Sequence, residues 1–240
     1  LLPGDIALEM VWIPAGSFIM GRYPGELGSY TAEDPQHWVT FDSGFWMGKY
    51  ELTKAQWTAV MGTTPWAGQS SVLDDPNSPA VYVNWDDVKA FIAALNTYTG
   101  LTFRLPSEAQ WEYSCRAGTT TRFYWGEDLS YIEIDDYAWW DGNAYNVGQQ
   151  YAHIVGQKQP NGWGLFDMSG NVWEWLEDDW HVDYSGAPVN GSAWIDSPRG
   201  TRRLERGGAW SYSGYTCRSA LRCSTYPVNE YDFLGFRLCR

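Results

Sequence analysis

Four cysteines and three histidines are the side chains of this 240-residue chain that could carry nucleophilic, redox or metal chemistry. The cysteines form no CxxC pair and no zinc-binding pattern, and the histidines lie far apart without the spacing of metal ligands. At this length and cysteine density a disulfide scaffold is not expected, so most of the cysteines are interpreted as small buried apolar side chains. These residues are Cys115, Cys217, Cys223, Cys239, His37, His153 and His181.

The second distinctive feature is the C-terminal segment, residues 206–240. Glycines, arginines and aromatics at its two ends enclose a stretch of Tyr, Ser, Thr, Asn, Asp and Cys that has neither a helical nor a strand period. Tyrosine mixed with small polar residues is typical of antibody loops, because tyrosine offers a large contact area at a low cost in conformational entropy. The alternative is that the tyrosine rings pack inward as caps of the core. The predicted ligand-binding residues are Ser211, Tyr212, Ser213, Tyr215, Leu221, Cys223, Ser224, Thr225, Tyr226, Val228, Asn229, Tyr231, Asp232 and Phe233.

Three helices that would support this segment are predicted from their capping residues. Thr53 with Gln56, and Ser107 with Gln110, each match the capping-box pattern, and Asn84 is a typical N-cap. The helix after Asn84 places five apolar side chains on one face, which we predict to be core. These are Trp85, Val88, Phe91, Ile92 and Leu95.

The rest of the chain predicts strands and loops. The opening run MVWIPAGSFIMG indicates a hairpin with strands at residues 10–13 and 17–20, because Pro14-Ala15-Gly16 supplies turn chemistry. Residues 45–50 are a further strand candidate. After Gly118 the helical period disappears, and dense Trp, Gly, Asn and Asp predict short strands and long loops pinned by aromatics. No linker is visible, so we predict a single domain over residues 1–240.

Composition narrows the classes of partner. The formal net charge is −13, which repels phosphate backbones and anionic lipid, so nucleic acid is not expected as a partner. No apolar run approaches the roughly 20 residues that span a bilayer. The sequence given carries no signal or lipid-anchor segment. The 16 Trp and 16 Tyr residues allow a core of large rings whose polar groups bond to loop backbone.

Eight sequence blocks, in this order, resemble the formylglycine-generating enzyme (sulfatase-modifying factor) family. They are MVWIPAGSFIMG, FWMGKYELTKAQW, PAVYVNWDDVKAF, FRLPSEAQWEYSCRAG, PNGWGLFDMSGNVWEW, RGGAW, CRSALR and LGFR, and they span nearly all of residues 9–240. The resemblance implies an α+β fold. This is the family's loop-rich variant of the C-type lectin fold, with few helices around an irregular antiparallel sheet.

The resemblance also bears on catalysis. Catalytic members of the family are copper-dependent oxidases that use two cysteines close together, just after the RGG segment. Here Tyr212 stands at the place of the first cysteine, and Cys217 lies in a CRSA pattern like that of non-catalytic relatives. A reactive thiolate needs a depressed pKa and access. We therefore expect a protein that is not an enzyme and has no redox cofactor, with Cys217 as the candidate nucleophile if the oxidase alternative holds.

A calcium site is a further implication of the resemblance. Catalytic relatives hold calcium with a motif that matches DMSGNVWEW. Asp167 and Glu174 would supply side-chain oxygens, and Gly170 and Val172 would supply backbone carbonyls, to one structural calcium ion. The alternative is a metal-free turn in which Asn171 and Glu174 bond to backbone N–H groups.

The genetic code links the C-terminal segment to a mechanism of variation. Many relatives carry runs of Asn between the same frame residues, and mutating both adenines of an Asn codon gives Ser, Tyr, Leu, Cys, Thr, Val, Asp or Phe but never Glu or Lys. Each of the predicted binding positions is reachable in this way, whereas Glu230 is not. The pattern resembles the variable proteins of diversity-generating retroelements, in particular the treponeme surface lipoproteins that use this scaffold.

The sequence therefore predicts a non-catalytic, surface-displayed binding protein whose segment 206–240 is diversified by a retroelement. We expect a protein or peptide ligand, a monomer, and a place on the cell surface or outside the cell through a lipid anchor on a bacterium. Two alternatives stay open at this point. One is a copper-dependent oxidase that acts on a sulfatase cysteine, and the other is a lectin that binds sugar through calcium.

Overall fold

The three predicted helices are present in the computed structural model, which describes residues 1–240. They are α1 Lys54–Met61, α2 Trp85–Thr99 and α3 Glu108–Arg116, and each begins at the predicted cap with both capping-box hydrogen bonds formed. A fourth helix, α4 Ile134–Tyr137, is a single turn. No helix has both the length and the apolar character needed to cross a bilayer.

Helix α2 forms one wall of the first core. All five apolar residues predicted for its inner face are buried, so that prediction is confirmed. Phe91 stacks on Trp57 of α1 with a centroid separation of 5.2 Å, and its edge meets Phe236 near the chain end at 5.6 Å. This core therefore joins α1 and α2 to the C-terminal segment.

The N-terminal strands do not form the predicted hairpin. Strand β1 Met10–Ile13 pairs with β4 Phe45–Gly48, and β2 Gly16–Met20 pairs with β3 His37–Phe41. Residues 10–20 thus act as one bent strand that runs antiparallel to residues 37–48. Two residues, 14–15, face three residues, 42–44, at the bend, so the extra residue bulges from the partner strand and the Pro-Ala sequence does not reverse the chain.

The C-terminal half of the chain builds a four-stranded sheet in the order β7-β6-β5-β8. Its members are β5 Trp173–Asp179, β6 Arg203–Arg206, β7 Cys223–Thr225 and β8 Leu234–Gly235. Strands β5, β6 and β7 are antiparallel, and β8 runs parallel to β5. Three of the four strands therefore come from residues 203–235.

The sheet separates two apolar cores. Trp173 and Trp175 point from β5 into the first core, which holds 25 buried residues and includes α2. Leu176 and Leu204 point to the opposite face, into a second core of 17 residues shared with α3 and the N-terminal strands. The alternation along β5 and β6 follows from the two-residue period of a strand.

Buried arginines of the C-terminal segment tie the sheet to α3. The Arg206 guanidinium donates to Glu108 at 3.0 Å and to Glu112 at 2.7 Å. The same side chain also donates to the backbone carbonyls of Ser219 and Leu221. Arg206 is fully buried, so each of these bonds forms where water cannot replace it.

Two further arginines repeat this arrangement. Arg218 donates to Glu26 at 2.7 Å and to Glu33 at 2.6 Å, across almost the whole length of the chain. Arg237 forms a two-pronged pair with Glu174 at 2.6 and 2.7 Å. All these side chains are buried, and the paired geometry is the one in which a guanidinium binds a carboxylate most strongly.

Removing the Arg206 charge is expected to destabilise the fold strongly. Arg206→Met leaves carbonyl and carboxylate oxygens unpaired in the interior, so we expect a loss of about 3–5 kcal/mol in the free energy of unfolding, measured by urea denaturation. Lys89→Met is the control, because it removes an ion pair with Glu177 whose lysine side chain is 37% exposed. That change is expected to cost at most about 1 kcal/mol. Equal effects of the two substitutions would contradict the assigned role of Arg206.

Candidate ligand-binding surface

The predicted frame residues of the C-terminal segment point inward. The turn after β6 requires glycine, because Gly207 and Gly208 have positive φ and a Cβ on Gly208 would lie 2.8 Å from the Thr216 hydroxyl. Pro227 of the predicted frame is only half-buried. The other frame side chains that follow the turn are buried, and these are Trp210, Cys217, Arg218, Ser219, Arg222, Phe236 and Arg237. The frame thus fixes the backbone from inside the protein.

Eleven of the fourteen predicted binding residues reach the surface at least in part. Ser213, Tyr226 and Val228 are exposed. The other eight are half-buried: Ser211, Tyr212, Tyr215, Cys223, Asn229, Tyr231, Asp232 and Phe233. The segment therefore presents most of the predicted binding residues at least partly to solvent, between stretches of buried frame residues.

Three predicted binding residues are buried and do not belong to this surface. Leu221 lies in the first core, and Arg206 binds its carbonyl. Ser224 is buried because its side chain points to the opposite face of β7 from Cys223. Thr225 is covered because its hydroxyl accepts a hydrogen bond from Asn229 at 2.7 Å. Codon reachability does not distinguish these positions from exposed ones.

A row of aromatic rings crosses the centre of the surface. The edge of Tyr212 meets Trp173 at 5.6 Å and Phe233 at 5.2 Å, and Phe233 stacks on Tyr231 at 4.8 Å. These rings cover the first core on one side and meet solvent on the other. The sequence-based alternative of inward-packed tyrosines is therefore partly correct for Tyr212 and Tyr231.

The rim of the surface is more exposed. Tyr226 is 54% exposed and Val228 is 69% exposed, in the loop between β7 and β8. The Arg202 guanidinium lies over the Tyr226 ring at 5.4 Å. Tyr215 approaches Tyr30 of the N-terminal half at 6.3 Å, which places residues of both halves beside the surface.

Glu205 lies beneath the surface and was not among the predicted binding residues. On β6 it is paired with Cys223 of β7 and with Trp175 of β5, so all three side chains share one face of the sheet. Burial raises the pKa of Glu205 to about 7. Burial, with a contribution from Glu205, raises the pKa of Tyr212 to about 12. The only sequence signal was one acid at an inward position of the strand RLER.

The cysteines do not form a reactive pair. All four are free, and Cys217 is buried and carries a pKa that burial raises to about 12. Tyr212 stands where the resemblance places the first catalytic cysteine of the family. A neutral, covered thiol is a poor nucleophile and a poor ligand for a copper ion.

The three histidines act as packed or hydrogen-bonded rings. His153 stacks on Trp139 at 3.7 Å, and His181 stacks on Trp194 at 3.6 Å. Burial lowers the pKa of His153 to about 4, so this ring is neutral at physiological pH. They lie in separate places and do not combine into a metal site.

Both side chains predicted to hold calcium are bonded within the protein. Both oxygens of Glu174 face the Arg237 guanidinium, which supplies the positive charge that a metal ion would bring. Asp167 accepts a hydrogen bond from the backbone N–H of Gly156 at 2.7 Å. No group of three or more acidic, histidine or cysteine side chains in the chain could hold a metal. A calcium ion held by Asp167, Glu174 and the carbonyls of Gly170 and Val172 stays a prediction that rests on the family resemblance.

The turn of DMSGNVWEW is held by protein groups instead. Asn171 adopts a left-handed backbone conformation and accepts a hydrogen bond from the His153 N–H at 2.8 Å. Its amide donates to Glu51 at 2.6 Å, and Glu51 in turn accepts from Val172 N–H at 3.1 Å. This is the metal-free alternative for Asn171, whereas Glu174 bonds to side chains rather than to backbone.

Comparison with known proteins agrees with this architecture. The family model for the sulfatase-modifying factor enzyme 1-like domain matches residues 5–240. This chain belongs to the formylglycine-generating enzyme family. Among its relatives, the formylglycine-generating enzyme of Thermomonospora curvata is 34% identical, covering 98% of this chain and 94% of that protein.

Two solved structures of this fold are similar over nearly the whole chain. PvdO from Pseudomonas aeruginosa is 34% identical, with a TM-score of 0.88 over 97% of this chain and 94% of that one. Treponema denticola variable protein 1 is 26% identical, with a TM-score of 0.83 over 98% and 96% of the two chains. The predicted fold, the family's α+β, loop-rich variant of the C-type lectin fold, is confirmed.

The buried Glu205 is expected to make stability depend on pH. Its folded-state pKa of about 7 lies above the ordinary value of 4.5. Between these two pH values the folded state therefore holds a proton that the unfolded chain has lost. Stability from this group is present below pH 4.5 and is lost as the pH rises to about 7. Glu205→Gln removes the effect, so its stability relative to wild type should grow by about 3 kcal/mol between pH 4.5 and 8.

Denaturant unfolding at several pH values measures this difference. Glu133→Gln is the matched control, since Glu133 is an exposed acid outside the sheet. Its unfolding curve should shift by the same amount at every pH. Parallel pH profiles for wild type and Glu205→Gln would show that Glu205 is ionised in the folded protein.

Proposed function

We propose that this protein is a non-catalytic ligand-binding member of the family, and that its segment 206–240 forms a binding surface diversified by a retroelement. The observation that carries the proposal is the difference in burial between frame and non-frame positions along that segment. Residues of the frame are buried and bonded, while eleven of the fourteen interleaved positions reach the surface. Surface positions held by a fixed backbone tolerate exchange, as the loops of antibodies do.

Similarity to a variable protein supports the same proposal. Treponema denticola variable protein 1 has this fold over almost the whole of both chains. Mutation of the adenines of an Asn codon can produce every residue type found at the eleven surface positions. The exposed ring of Tyr226 and the half-buried rings of Tyr231 and Phe233 offer apolar contact area, and Ser213 and Asn229 offer adaptable hydrogen bonds.

The chemistry of the site supports binding over oxidation. Tyr212 stands where the family's first catalytic cysteine lies, and the remaining thiol of Cys217 is buried and protonated. No other thiol forms a disulfide with it. The oxidase alternative is tested by experiment below, because a relative at 34% identity carries the name formylglycine-generating enzyme.

The proposal extends to the setting of the protein. We propose a protein or peptide ligand, a monomeric state, and display on the outside of a bacterial cell through a lipid anchor. A net charge of −13 favours ligands with positive surfaces. Surface display is tested by protease treatment of intact cells, which should remove this domain and spare a cytoplasmic marker protein.

Exchange at the surface positions should leave the fold intact. In a yeast-display library the codons of Ser213, Tyr226, Val228, Asn229 and Tyr231 are replaced by NNC, which covers the products of adenine mutation. We expect most members to resist protease as wild type does, because three of the five positions are exposed and substitutions at such positions usually cost at most about 0.5 kcal/mol.

The control library randomises five frame positions with the same codon. These are Trp210, Arg218, Arg222, Phe236 and Arg237. Because each is buried, we expect nearly all of these members to be cleaved. Equal protease resistance in the two libraries, or failure of the surface library to yield members selective for any purified protein target, would overturn the proposed function.

Copper-dependent oxidation is expected to be absent. The copper-loaded protein is incubated with oxygen and a cysteine peptide bearing the sulfatase motif, and mass spectrometry measures loss of the thiol. The formylglycine-generating enzyme of Thermomonospora curvata serves as the positive control. Multiple turnovers that vanish in Cys217→Ser would establish the oxidase instead.

A further inference from the structure

Glu205 occupies the floor of the binding surface. It is 6% exposed, and its partners across the strands are Cys223 and Trp175. The aromatic row of Tyr212 and its neighbours packs on this same face, since Tyr212 contacts Trp173, two residues from Trp175 on β5. The carboxylate is thus enclosed by the sheet below and by side chains of the surface above.

One oxygen of this carboxylate has no partner. Oε2 of Glu205 is buried without a hydrogen bond of ordinary geometry, and the one donor beside the carboxyl group is the weakly donating thiol of Cys223. The nearest cation to influence it is Arg202, whose guanidinium instead donates to the Ser224 carbonyl and lies over the Tyr226 ring. Buried acids elsewhere in the chain, such as Glu112 and Glu174, have guanidinium partners. Glu205 is a buried acceptor that lacks one.

We propose that Glu205 binds the positively charged group of the ligand, an ammonium or guanidinium of a lysine- or arginine-bearing peptide. The inference rests on the function proposed above and specifies the ligand's chemistry. Tyr212 is half-buried and lies close enough to Glu205 for the two groups to interact, so this ring marks where the cation enters. The rings of Tyr231 and Phe233 stack on each other beside Tyr212 and add apolar contact for the stem of a lysine or arginine side chain.

The alternative ligands fit this floor less well. An anion would meet Glu205 and the nearby Asp232, and would also face the net charge of −13. A metal ion would need several ligand atoms, and no group of three acidic, histidine or cysteine side chains is present. A basic side chain supplies one positive charge and several N–H donors, which one carboxylate with an unused oxygen can accept.

The position of Glu205 also separates constant from variable recognition. Adenine mutation of an Asn codon never gives Glu, so Glu205 lies outside the exchangeable set while Cys223, directly opposite it, lies within that set. The anchor for a positive charge therefore stays the same in every variant. The rings and hydroxyls around it select which basic peptide is bound.

Binding of small cationic probes tests this inference. The probes are N-acetyl-lysine N-methylamide and N-acetyl-arginine N-methylamide, with N-acetyl-norleucine N-methylamide as the uncharged control. Isothermal titration with wild-type protein is expected to show saturable binding of the charged probes in the millimolar range, at least tenfold tighter than the norleucine compound. In Glu205→Gln this preference should fall by at least tenfold.

Two controls distinguish loss of the Glu205 carboxylate from a change in net charge and from unfolding. Glu133→Gln removes the same charge at a distant exposed position and should bind the probes as wild type does. Thermal unfolding should show Glu205→Gln to be folded, since glutamine keeps the shape of the side chain without a buried charge. Unchanged probe binding in Glu205→Gln, equal binding of the norleucine compound, or no saturable binding of either charged probe would overturn the inference.

The two experiments distinguish failure of the Glu205 assignment from failure of the proposed function. If the charged probes do not bind while the surface library still yields folded members that select a protein target, only the assignment of Glu205 fails. If the probes bind through Glu205 but no library member selects a target, the cation site stands and the diversified surface does not.

Discussion

The pairing of buried arginines with buried carboxylates is the constraint on which the rest of this structure depends. Arg206 joins the sheet to α3 through Glu108 and Glu112, and Arg218 binds Glu26 and Glu33 near the other end of the chain. A buried charge without its partner is severely destabilising. These pairs therefore fix the backbone of the C-terminal segment and leave the side chains between them free to point outward.

The four-stranded sheet turns this constraint into a site. One face carries Arg206, which pairs with Glu112, and Glu174, which pairs with Arg237. The opposite face carries Trp175, Glu205 and Cys223. Because side chains alternate along a strand, the same few strands carry an ionic anchor on one side and, on the other, the face on which we propose that a ligand cation binds. The paired charges of the first face hold in place the strands that carry the second.

Local features of the fold could be predicted from the sequence, and long-range pairings could not. Capping residues located all three main helices, because a cap involves residues only three positions apart. The turn chemistry of Pro14-Ala15-Gly16 suggested a hairpin, but the choice between reversal and bulge depends on residues 37–48, which lie outside that window. Likewise the burial of Leu221 depends on Arg206, and the isolation of Glu205 depends on where Arg202 points.

The arginines that neutralise these acids follow them in the chain at separations of 63 residues or more. Glu26, Glu33 and Glu174 each pair with Arg218 or Arg237, so each acid is synthesised before its cation. Until the segment 206–240 has docked, these acids would be buried without a partner, which the interior does not accept. Closure of the core therefore depends on the segment that also carries the candidate binding surface.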